Sequence, residues 1–493
     1  MYYPGKAEFI TLAKKGNLIP VYTEVVADYD TPISAYAKID TDDYSFLLES
    51  VEGGERLARY SFLGSRPSVV FSSKGTRVEL REGTTTKTFK TDDPIGELKK
   101  VLSKYRFVSV KGLPRFTGGF VGFMGYDMVR FMEDIPDKNP DQLKIPDSTF
   151  MLTDTLLIFD HVDHKIKVVS NAHVTGSASK AYDEALRKID IIAARLKAPC
   201  TKEIPPFMMK RESSRLDLKS NFEKKEFEDA VRKAKDYIRK GDIIQAVLSQ
   251  RFRTPIKSHP FQIYRALRSI NPSPYMYYLK LKDFYLVGSS PEIMVRCEEG
   301  TVEVRPIAGT RPRGSSEKAD AALVKDLLAD PKERAEHIML VDLGRNDIGR
   351  VCDYKSVKVS ELMTIEKYSH VMHIVTDVSG RLKKDKDAFD VIRATFPAGT
   401  VSGAPKVRAM EIIDELENVR RSAYAGSVGY FSFSGNLDCC ITIRTILIKA
   451  GVAYIQAGAG IVADSRPEKE YQETINKAKA LVKAIEMAER GFA

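Results

Sequence analysis

Short runs in which apolar and polar residues alternate dominate the chain from about Pro20 to Ser170. Runs such as Ser68-Val-Val-Phe-Ser-Ser and Lys165-Ile-Lys-Val-Val-Ser are separated by Gly, Asp and Pro turns, a pattern typical of antiparallel strands. A helical pattern covers Ala181 to Leu196, and strands and helices mix after a second helical pattern over Lys224 to Lys240. The sequence therefore predicts mainly antiparallel sheet in the first half and mixed structure in the second.

Composition limits the possible function classes. The 493 residues are 43% hydrophobic and 29% charged, which is typical of a soluble globular protein. No run of about 18 apolar residues and no signal peptide is present, so we predict a cytoplasmic enzyme without a membrane span. The net charge of +10 is modest and basic stretches alternate with acids, so we predict no nucleic-acid binding. The five cysteines contain no C-x-x-C pair and are predicted to be reduced.

Residues 198–220 carry Pro, Lys and Ser without sustained periodicity. Such a stretch is typical of a linker. We therefore predict an N-terminal subdomain over 1–197, a linker over 198–220 and a C-terminal domain over 221–493.

An arginine interrupts the β-rich run Cys439-Cys-Ile-Thr-Ile-Arg-Thr-Ile-Leu-Ile-Lys449. Alternation along one strand would put Arg444 on the same face as Thr442 and Ile446. A guanidinium in the middle of an apolar strand needs an anion as its partner. The partner is either a bound anion or a structural carboxylate, and the spacing does not decide between them.

The segment Ala453-Tyr-Ile-Gln-Ala-Gly-Ala-Gly-Ile-Val-Ala formally matches the glycine-rich dinucleotide fingerprint. Only about 30 residues remain after it, too few for the βαβ unit that such a site requires. The segment is therefore either a tight turn or a place where Gly458, Ala459 and Gly460 present backbone N–H groups to a carboxylate.

Two pairs of glutamates occupy neighbouring positions on predicted helices. Glu333 and Glu336 are three residues apart, as are Glu470 and Glu473, and Lys477 lies one turn beyond Glu473. Two such pairs suit a hard divalent cation such as Mg²⁺, or they are ordinary surface charges.

An ordered series of motifs runs along the chain: Phe46-Leu-Leu-Glu-Ser50, Asn271-Pro-Ser-Pro-Tyr-Met276, Ser290-Pro-Glu292, Pro306-Ile-Ala-Gly-Thr-Arg-Pro-Arg313, Glu336-His-Ile-Met-Leu-Val-Asp-Leu-Gly-Arg-Asn-Asp347, His370-Val-Met-His373, Gly399-Thr-Val-Ser-Gly-Ala-Pro-Lys406, Gly458-Ala-Gly460 and Glu473-Thr-Ile-Asn-Lys477. Together these motifs resemble the chorismate-utilising enzyme family, most closely its anthranilate-forming members, over Ile19 to Arg490. The resemblance implies an α/β fold of the α+β type, in which large antiparallel sheets pack as a sandwich with helices outside. The resemblance places the active site in a cleft of the second part of the chain.

The resemblance also implies a set of ligand-binding residues. Glu336 and Glu473 are expected to bind Mg²⁺, supported by Glu333 and Glu470, and the cation would hold the ring carboxylate of chorismate. The remaining substrate-binding residues are expected to be Gly309, Thr310, Tyr424, Arg444, Gly458, Ala459, Gly460 and Lys477.

The implied reaction is that of a lyase, which adds ammonia at ring C2 of chorismate and eliminates pyruvate to give anthranilate, the first step of tryptophan biosynthesis. Glu292 is the expected general acid for the departing C4 hydroxyl. His373 is either the acid–base group at C2 or a histidine that only shapes the pocket. Thr310 and Gln245 complete the predicted catalytic set.

Two positions separate related activities. Relatives that add water carry lysine where this chain has Gln245, and many aminodeoxychorismate synthases carry lysine where it has Ala308. Both residues favour anthranilate formation over isochorismate, salicylate or aminodeoxychorismate formation. A non-catalytic chorismate or tryptophan sensor, the alternative from another class, would lack Glu336, Glu473 or His373, and all three are present.

The chain has no G-x-C-x-G nucleophile elbow. We therefore predict that ammonia comes from a separate glutamine amidotransferase subunit, component II, in a hetero-oligomer.

The first half carries a regulatory signal. The segments that contain Ser50, Pro274, Tyr275 and Met276 resemble a feedback site for L-tryptophan, although Leu47-Leu48 alone would be ordinary strand core. We therefore predict that L-tryptophan inhibits the enzyme through these residues. The chain itself contains no tryptophan.

Overall fold

A computed structural model describes residues 1–26, 30–50, 59–199, 216–368 and 371–491. Most of the predicted linker, residues 200–215 with Cys200, lies outside the described residues, as does His370 of one quoted motif. Across the described ranges, no helix is long and apolar enough to cross a bilayer.

Two large antiparallel sheets form the body of the molecule. In hydrogen-bonded order, the first sheet contains Tyr2–Tyr3, Leu18–Val26, Lys165–His173, Thr155–Asp160, Tyr60–Ser65, Tyr44–Glu49, Tyr275–Leu281, Phe284–Ser290, Thr445–Lys449, Val452–Ile461, Gln245–Pro255 and Lys219–Ser220, with Gly403–Ala404 also pairing with Gln245–Pro255. The second contains Ile307–Pro312, Val371–Arg381, Thr301–Val304, Ile293–Glu298, Leu437–Ile441, Ser427–Ser432, Gly119–Met124, Ser148–Thr153, Val69–Lys74, Arg77–Glu82 and Thr85–Lys90, with Lys358–Lys367 pairing with Val371–Arg381.

Alternation along the strands explains why the sheets stack. Phe46 and Tyr277 point into a core shared by both sheets, whereas their neighbours Leu47 and Tyr278 point into the outer core of the first sheet. Burial of each such side chain contributes about 1.5–3 kcal/mol, so both faces of the first sheet are stabilised.

Helices cover the outer faces of the sandwich. In the described part of the chain, the α-helices are Lys6–Leu12, Pro32–Ile39, Pro94–Leu102, Ala178–Lys197, Lys224–Arg239, Pro260–Ile270, Glu317–Ala329, Pro331–Gly349, Ala388–Thr395, Lys406–Leu416 and Pro467–Arg490, and short 3₁₀ turns span Tyr126–Phe131 and Gly399–Val401. The predicted sandwich of antiparallel sheets with helices outside is confirmed.

Both sheets cross the predicted domain boundary. Tyr44–Glu49 pairs with Tyr275–Leu281 in the first sheet, and Gly119–Met124 pairs with Ser427–Ser432 in the second. The division at 198–220 stays a prediction, but the two parts on either side share both sheets.

The run around Arg444 is not the single strand that alternation predicted. Leu437–Ile441 belongs to the second sheet and Thr445–Lys449 to the first. The chain passes between the sheets at 442–444, and Arg444 has a left-handed backbone with φ of 51°. The predicted face shared by Thr442, Arg444 and Ile446 was therefore wrong, because the chain turns where the pattern assumed an extended strand.

Candidate active site

A cavity of about 670 Å³ lies beside two helices, the Glu336 helix (Pro331–Gly349) and the C-terminal helix (Pro467–Arg490). It brings together nearly all of the predicted catalytic, substrate and metal residues. These are Gln245, Glu292, Gly309, Thr310, Glu333, Glu336, His373, Tyr424, Arg444, Gly458, Gly460, Glu470, Glu473 and Lys477.

Ala459 is the exception, because its methyl group is buried in a core away from the cavity. Lys477 Nζ donates to the Gly458 carbonyl at 2.9 Å, so the Gly458 peptide groups face away from the neighbouring strand. Peptide groups alternate in direction along a strand, so Ala459 directs its N–H toward its partner Leu248. The expectation that all three residues offer N–H groups is therefore corrected, and only Gly458 and Gly460 face the cavity.

One wall of the cavity is suited to an anion. Burial lowers the pKa of Arg444, and among the described residues its Nη1 donates only to the Lys477 carbonyl at 2.9 Å. Burial also raises the pKa of Tyr424 to about 12, so its hydroxyl keeps its proton and can donate. A Cβ at Gly458 would lie 2.6 Å from that hydroxyl, which explains why glycine is needed there.

The four glutamates also line this cavity. Gln245 Nε2 donates to Glu336 Oε1 at 3.1 Å. Glu333 Oε1 accepts from Arg311 at 3.1 Å, and Glu473 lies 2.6 Å from Lys477 Nζ. Burial is the main cause that raises the pKa values of Glu336 and Glu470. The positive charge near Glu336 and Glu470 is therefore too small to compensate for the burial of their carboxylates.

The glutamates fit a divalent cation. Within the described part of the chain, no three His, Cys, Asp or Glu side chains form a preassembled metal centre. Mg²⁺ needs only one or two protein carboxylates, because waters and substrate oxygens complete its shell. A cation between the two helices would offset the buried charge of Glu336 and Glu470.

Glu292 and His373 have opposite proton preferences. Glu292 is 7% exposed, and burial raises its pKa to about 8, so it is protonated at neutral pH and can donate. His373 Nδ1 lies 3.0 Å from the Gly309 carbonyl, which can only accept, so Nδ1 carries the proton and Nε2 is the basic nitrogen. Burial lowers the pKa of His373 and keeps the ring neutral.

A β-bulge at Gly309 sets this geometry. The pairing with Val371–Arg381 shifts register between Ala308 and Thr310, and Gly309 has φ of 65°. The bulge brings Thr310 Oγ1 to 3.0 Å from His373 Nδ1.

Sequence reasoning missed several residues that line or support the cavity. Thr400, Lys332 and Asn476 line it, and Thr400 and Asn476 lie in quoted motifs without having been assigned a role. Arg421, 2% exposed, donates to the carbonyls of Val247 and Val401, which both line the cavity. It also pairs with buried Glu417 at 2.6 Å. No sequence pattern marked this support.

A second cavity, of about 440 Å³, contains all four predicted tryptophan-binding residues, Ser50, Pro274, Tyr275 and Met276. Ser50 Oγ is buried and finds no hydrogen-bond partner among the described residues. The Met276 side chain packs in the outer core, so only its backbone can face a ligand. Arg296 and Asp438 of the second sheet form an unpredicted polar wall together with Arg115, which pairs with Asp438.

The fold and the larger cavity together define an enzyme that acts on a small anionic substrate. Residues 44–483 match the model of a family described as chorismate binding enzyme. The chain therefore belongs to the chorismate-binding enzyme family, as its motifs predicted.

Its similar proteins include anthranilate synthase component 1 of Acetivibrio thermocellus, 51% identical over 99% of both chains. The same protein of Aquifex aeolicus is 52% identical over 97% of both chains. Among solved structures, anthranilate synthase component I from Streptococcus pneumoniae has a TM-score of 0.78 and 38% identity, covering 93% of this chain and 99% of its own. An isochorismate synthase from Escherichia coli, with a TM-score of 0.70 and 19% identity, shares the fold.

Proposed function

We propose that this chain converts chorismate and ammonia to anthranilate and pyruvate, as component 1 of an anthranilate synthase in the tryptophan pathway. The full-length relatives support this function and the lyase class. The observation that carries the proposal is the single cavity that combines a half-buried arginine, a protonated carboxyl group, a neutral histidine and two glutamate pairs.

Arg444 and Tyr424 bind the enolpyruvyl carboxylate. Arg444 is half-buried and has no carboxylate partner among the described residues, and desolvation lowers its pKa, so a substrate carboxylate compensates a guanidinium charge that the protein leaves unpaired. The N–H groups of Gly458 and Gly460 complete this end of the site.

Glu336 and Glu473 hold Mg²⁺, with Glu333 and Glu470 beside them. When bound, the cation supplies positive charge for the ring carboxylate. Gln245 keeps Glu336 in place through its 3.1 Å hydrogen bond. It therefore acts as a positioning residue, since an amide cannot serve as a base for water.

Glu292 donates its proton to the C4 hydroxyl as the C4–O bond breaks and ammonia adds at C2. His373 Nε2 then removes the C2 proton as pyruvate leaves and the ring becomes aromatic. Thr310 and the Gly309 carbonyl hold the histidine ring in the required tautomer. Ala308 offers no nucleophile, so ammonia attacks directly.

Ammonia comes from a second subunit that hydrolyses glutamine. The relatives' name, component 1, supports the existence of a second component. L-Tryptophan binds in the 440 Å³ cavity and inhibits the enzyme, with the Ser50 hydroxyl as a hydrogen-bonding group.

The test is to incubate the purified chain with chorismate, Mg²⁺ and ammonium at mildly alkaline pH and to identify the product. Anthranilate is expected, and Glu473→Gln should abolish its formation without unfolding the chain. Glu468→Gln, on the same helix but outside the cavity lining, is the matched control and should remain active. Recovery of only isochorismate or 4-amino-4-deoxychorismate would refute the assignment.

A further inference from the structure

A small cavity of about 40 Å³ lies directly behind the candidate active site. Glu292 and Thr400 line both spaces, whereas Asp347 lines only the small one. A site needs roughly 10–15 Å³ to hold a water molecule, so this cavity has room for at least one.

The lining of the small cavity requires a hydrogen-bond partner. Thr400 Oγ1 is buried and lies close enough to the Glu292 carboxyl group to lower its pKa, but it makes no hydrogen bond of good geometry within the described part of the chain. Buried hydroxyl groups are nearly always paired, and a water in the small cavity would supply the missing partner. Such a water would also be adjacent to the carboxyl groups of Glu292 and Asp347, since both line the same space.

Asp347 is a nearly buried acid of this cavity that keeps slight contact with solvent. Its side chain is 12% exposed, and Lys406 Nζ donates to Oδ2 at 2.7 Å. The other charged groups nearby are Arg350 and Arg305, and Arg305 is itself paired with Glu366 at 2.6 Å. Burial raises the pKa of Asp347 to about 6, so the group can carry a proton near neutral pH.

The proposed function leaves one proton to be replaced. Glu292 gives its proton to the leaving hydroxyl in each turnover and is nearly buried, so it needs a route by which a new proton arrives. We propose that Asp347 returns this proton to Glu292 through water held in the small cavity, with the Thr400 hydroxyl orienting that water. This inference rests on the proposed function.

The transfer breaks and forms only O–H bonds. The Glu292 carboxylate takes a proton from the cavity water, the water takes one from the Asp347 carboxyl group, and Asp347 regains one from solvent. The pKa values, about 6 for Asp347 and about 8 for Glu292, make this direction favourable. Asp347 thus acts through Glu292 and touches no substrate.

The experiment compares three variants with the wild type in the ammonia-dependent reaction at fixed ammonium concentration. Asp347→Asn removes the acid, and Asp347→Glu keeps one. Gly344→Ala adds a methyl group to the lining of the small cavity, where its Cβ would lie 3.1 Å from Val304 Cγ2, and removes no titratable group. Alanine also favours the helix relative to glycine by about 1 kcal/mol, so this variant should fold.

For Asp347→Asn we expect at least a tenfold lower kcat with an unchanged KM for chorismate. As pH is raised, kcat of this variant should begin to fall at a lower pH than kcat of the wild type. Asp347→Glu should recover much of the rate. Gly344→Ala should lower kcat without lowering the thermal midpoint. A wild-type pH profile in Asp347→Asn overturns the relay. Loss of activity and stability in both Asp347 variants, with full activity in Gly344→Ala, also overturns it and assigns Asp347 a structural role. Absence of anthranilate from the wild type refutes the proposed function itself.

Discussion

Arg444→Met tests whether the half-buried guanidinium recognises the substrate carboxylate. Truncating one partner of a buried, hydrogen-bonded charge pair costs about 2–5 kcal/mol. That range corresponds to a loss of about 30-fold to 4000-fold in kcat/KM for chorismate. The free enzyme should lose little stability, because Arg444 donates to one carbonyl and burial already disfavours its charge. A change of about 1 kcal/mol in a chain of this size shifts the thermal midpoint by about one degree.

The assay follows anthranilate fluorescence at varied chorismate and saturating ammonium, alongside thermal unfolding. Arg408→Met is the matched control, because Arg408 is partly exposed and pairs with Asp242 and Glu411 away from the cavity. It should leave kcat/KM unchanged. A loss below threefold in Arg444→Met, with the fold intact, would refute the role of Arg444 as the carboxylate ligand.

Arg421→Met should cost about 3–5 kcal/mol, because it leaves buried Glu417 without its cation, and should lower the thermal midpoint by several degrees. Arg408→Met should cost less than about 1 kcal/mol, and equal losses in the two would contradict this account. Folding raises the pKa of Glu292 from 4.5 to about 8. The protonated Glu292 side chain therefore favours the folded state below pH 4.5, and this contribution to the free energy of unfolding is lost as pH rises through 8. Glu292→Gln should therefore reduce the fall in thermal midpoint between pH 5 and 9, and an unchanged fall would exclude Glu292 as its source. Saturating protein should raise the anisotropy of L-tryptophan emission, since the chain has no tryptophan. Ser50→Val should weaken L-tryptophan binding about tenfold. Wild-type affinity in this variant would show that the Ser50 hydroxyl does not contact the ligand.

Local patterns predicted much of the fold. Alternation in runs such as Ser68-Val-Val-Phe-Ser-Ser correctly indicated antiparallel strands, and that run contains Val69–Lys74 almost entirely. Alternation could not predict which strands pair, because pairing depends on contacts between distant residues. The partnership of Tyr44–Glu49 with Tyr275–Leu281 joins segments more than 200 residues apart.

The candidate site could be predicted where residues break a local rule. An arginine in an apolar run is unusual, so Arg444 was marked by local pattern, whereas Glu292 was identified only through the motif that resembles the family. Arg421 and Asp347 lie on ordinary polar or helical segments, and only the folded chain shows that both are buried near the cavity. The prediction at Arg444 was wrong for the same reason. The alternation of apolar and polar residues does not show that the chain passes from one sheet to the other at 442–444.

The strand Leu437–Ile441 and the turn after it connect the two cavities by a very short path. Asp438 and Cys440 line the 440 Å³ cavity, whereas Arg444 lines the 670 Å³ cavity only four residues beyond Cys440. Ile441 N also donates to the Glu292 carbonyl at 3.1 Å. A ligand that moved Asp438 would therefore act on a segment that contains Arg444 and contacts Glu292, the proposed carboxylate ligand and the proposed general acid. Spatial connection alone does not produce inhibition, since the ligand must also favour one of two arrangements of that segment. The turn at 442–444 is where two such arrangements could differ, because the chain there leaves one sheet before it joins the other.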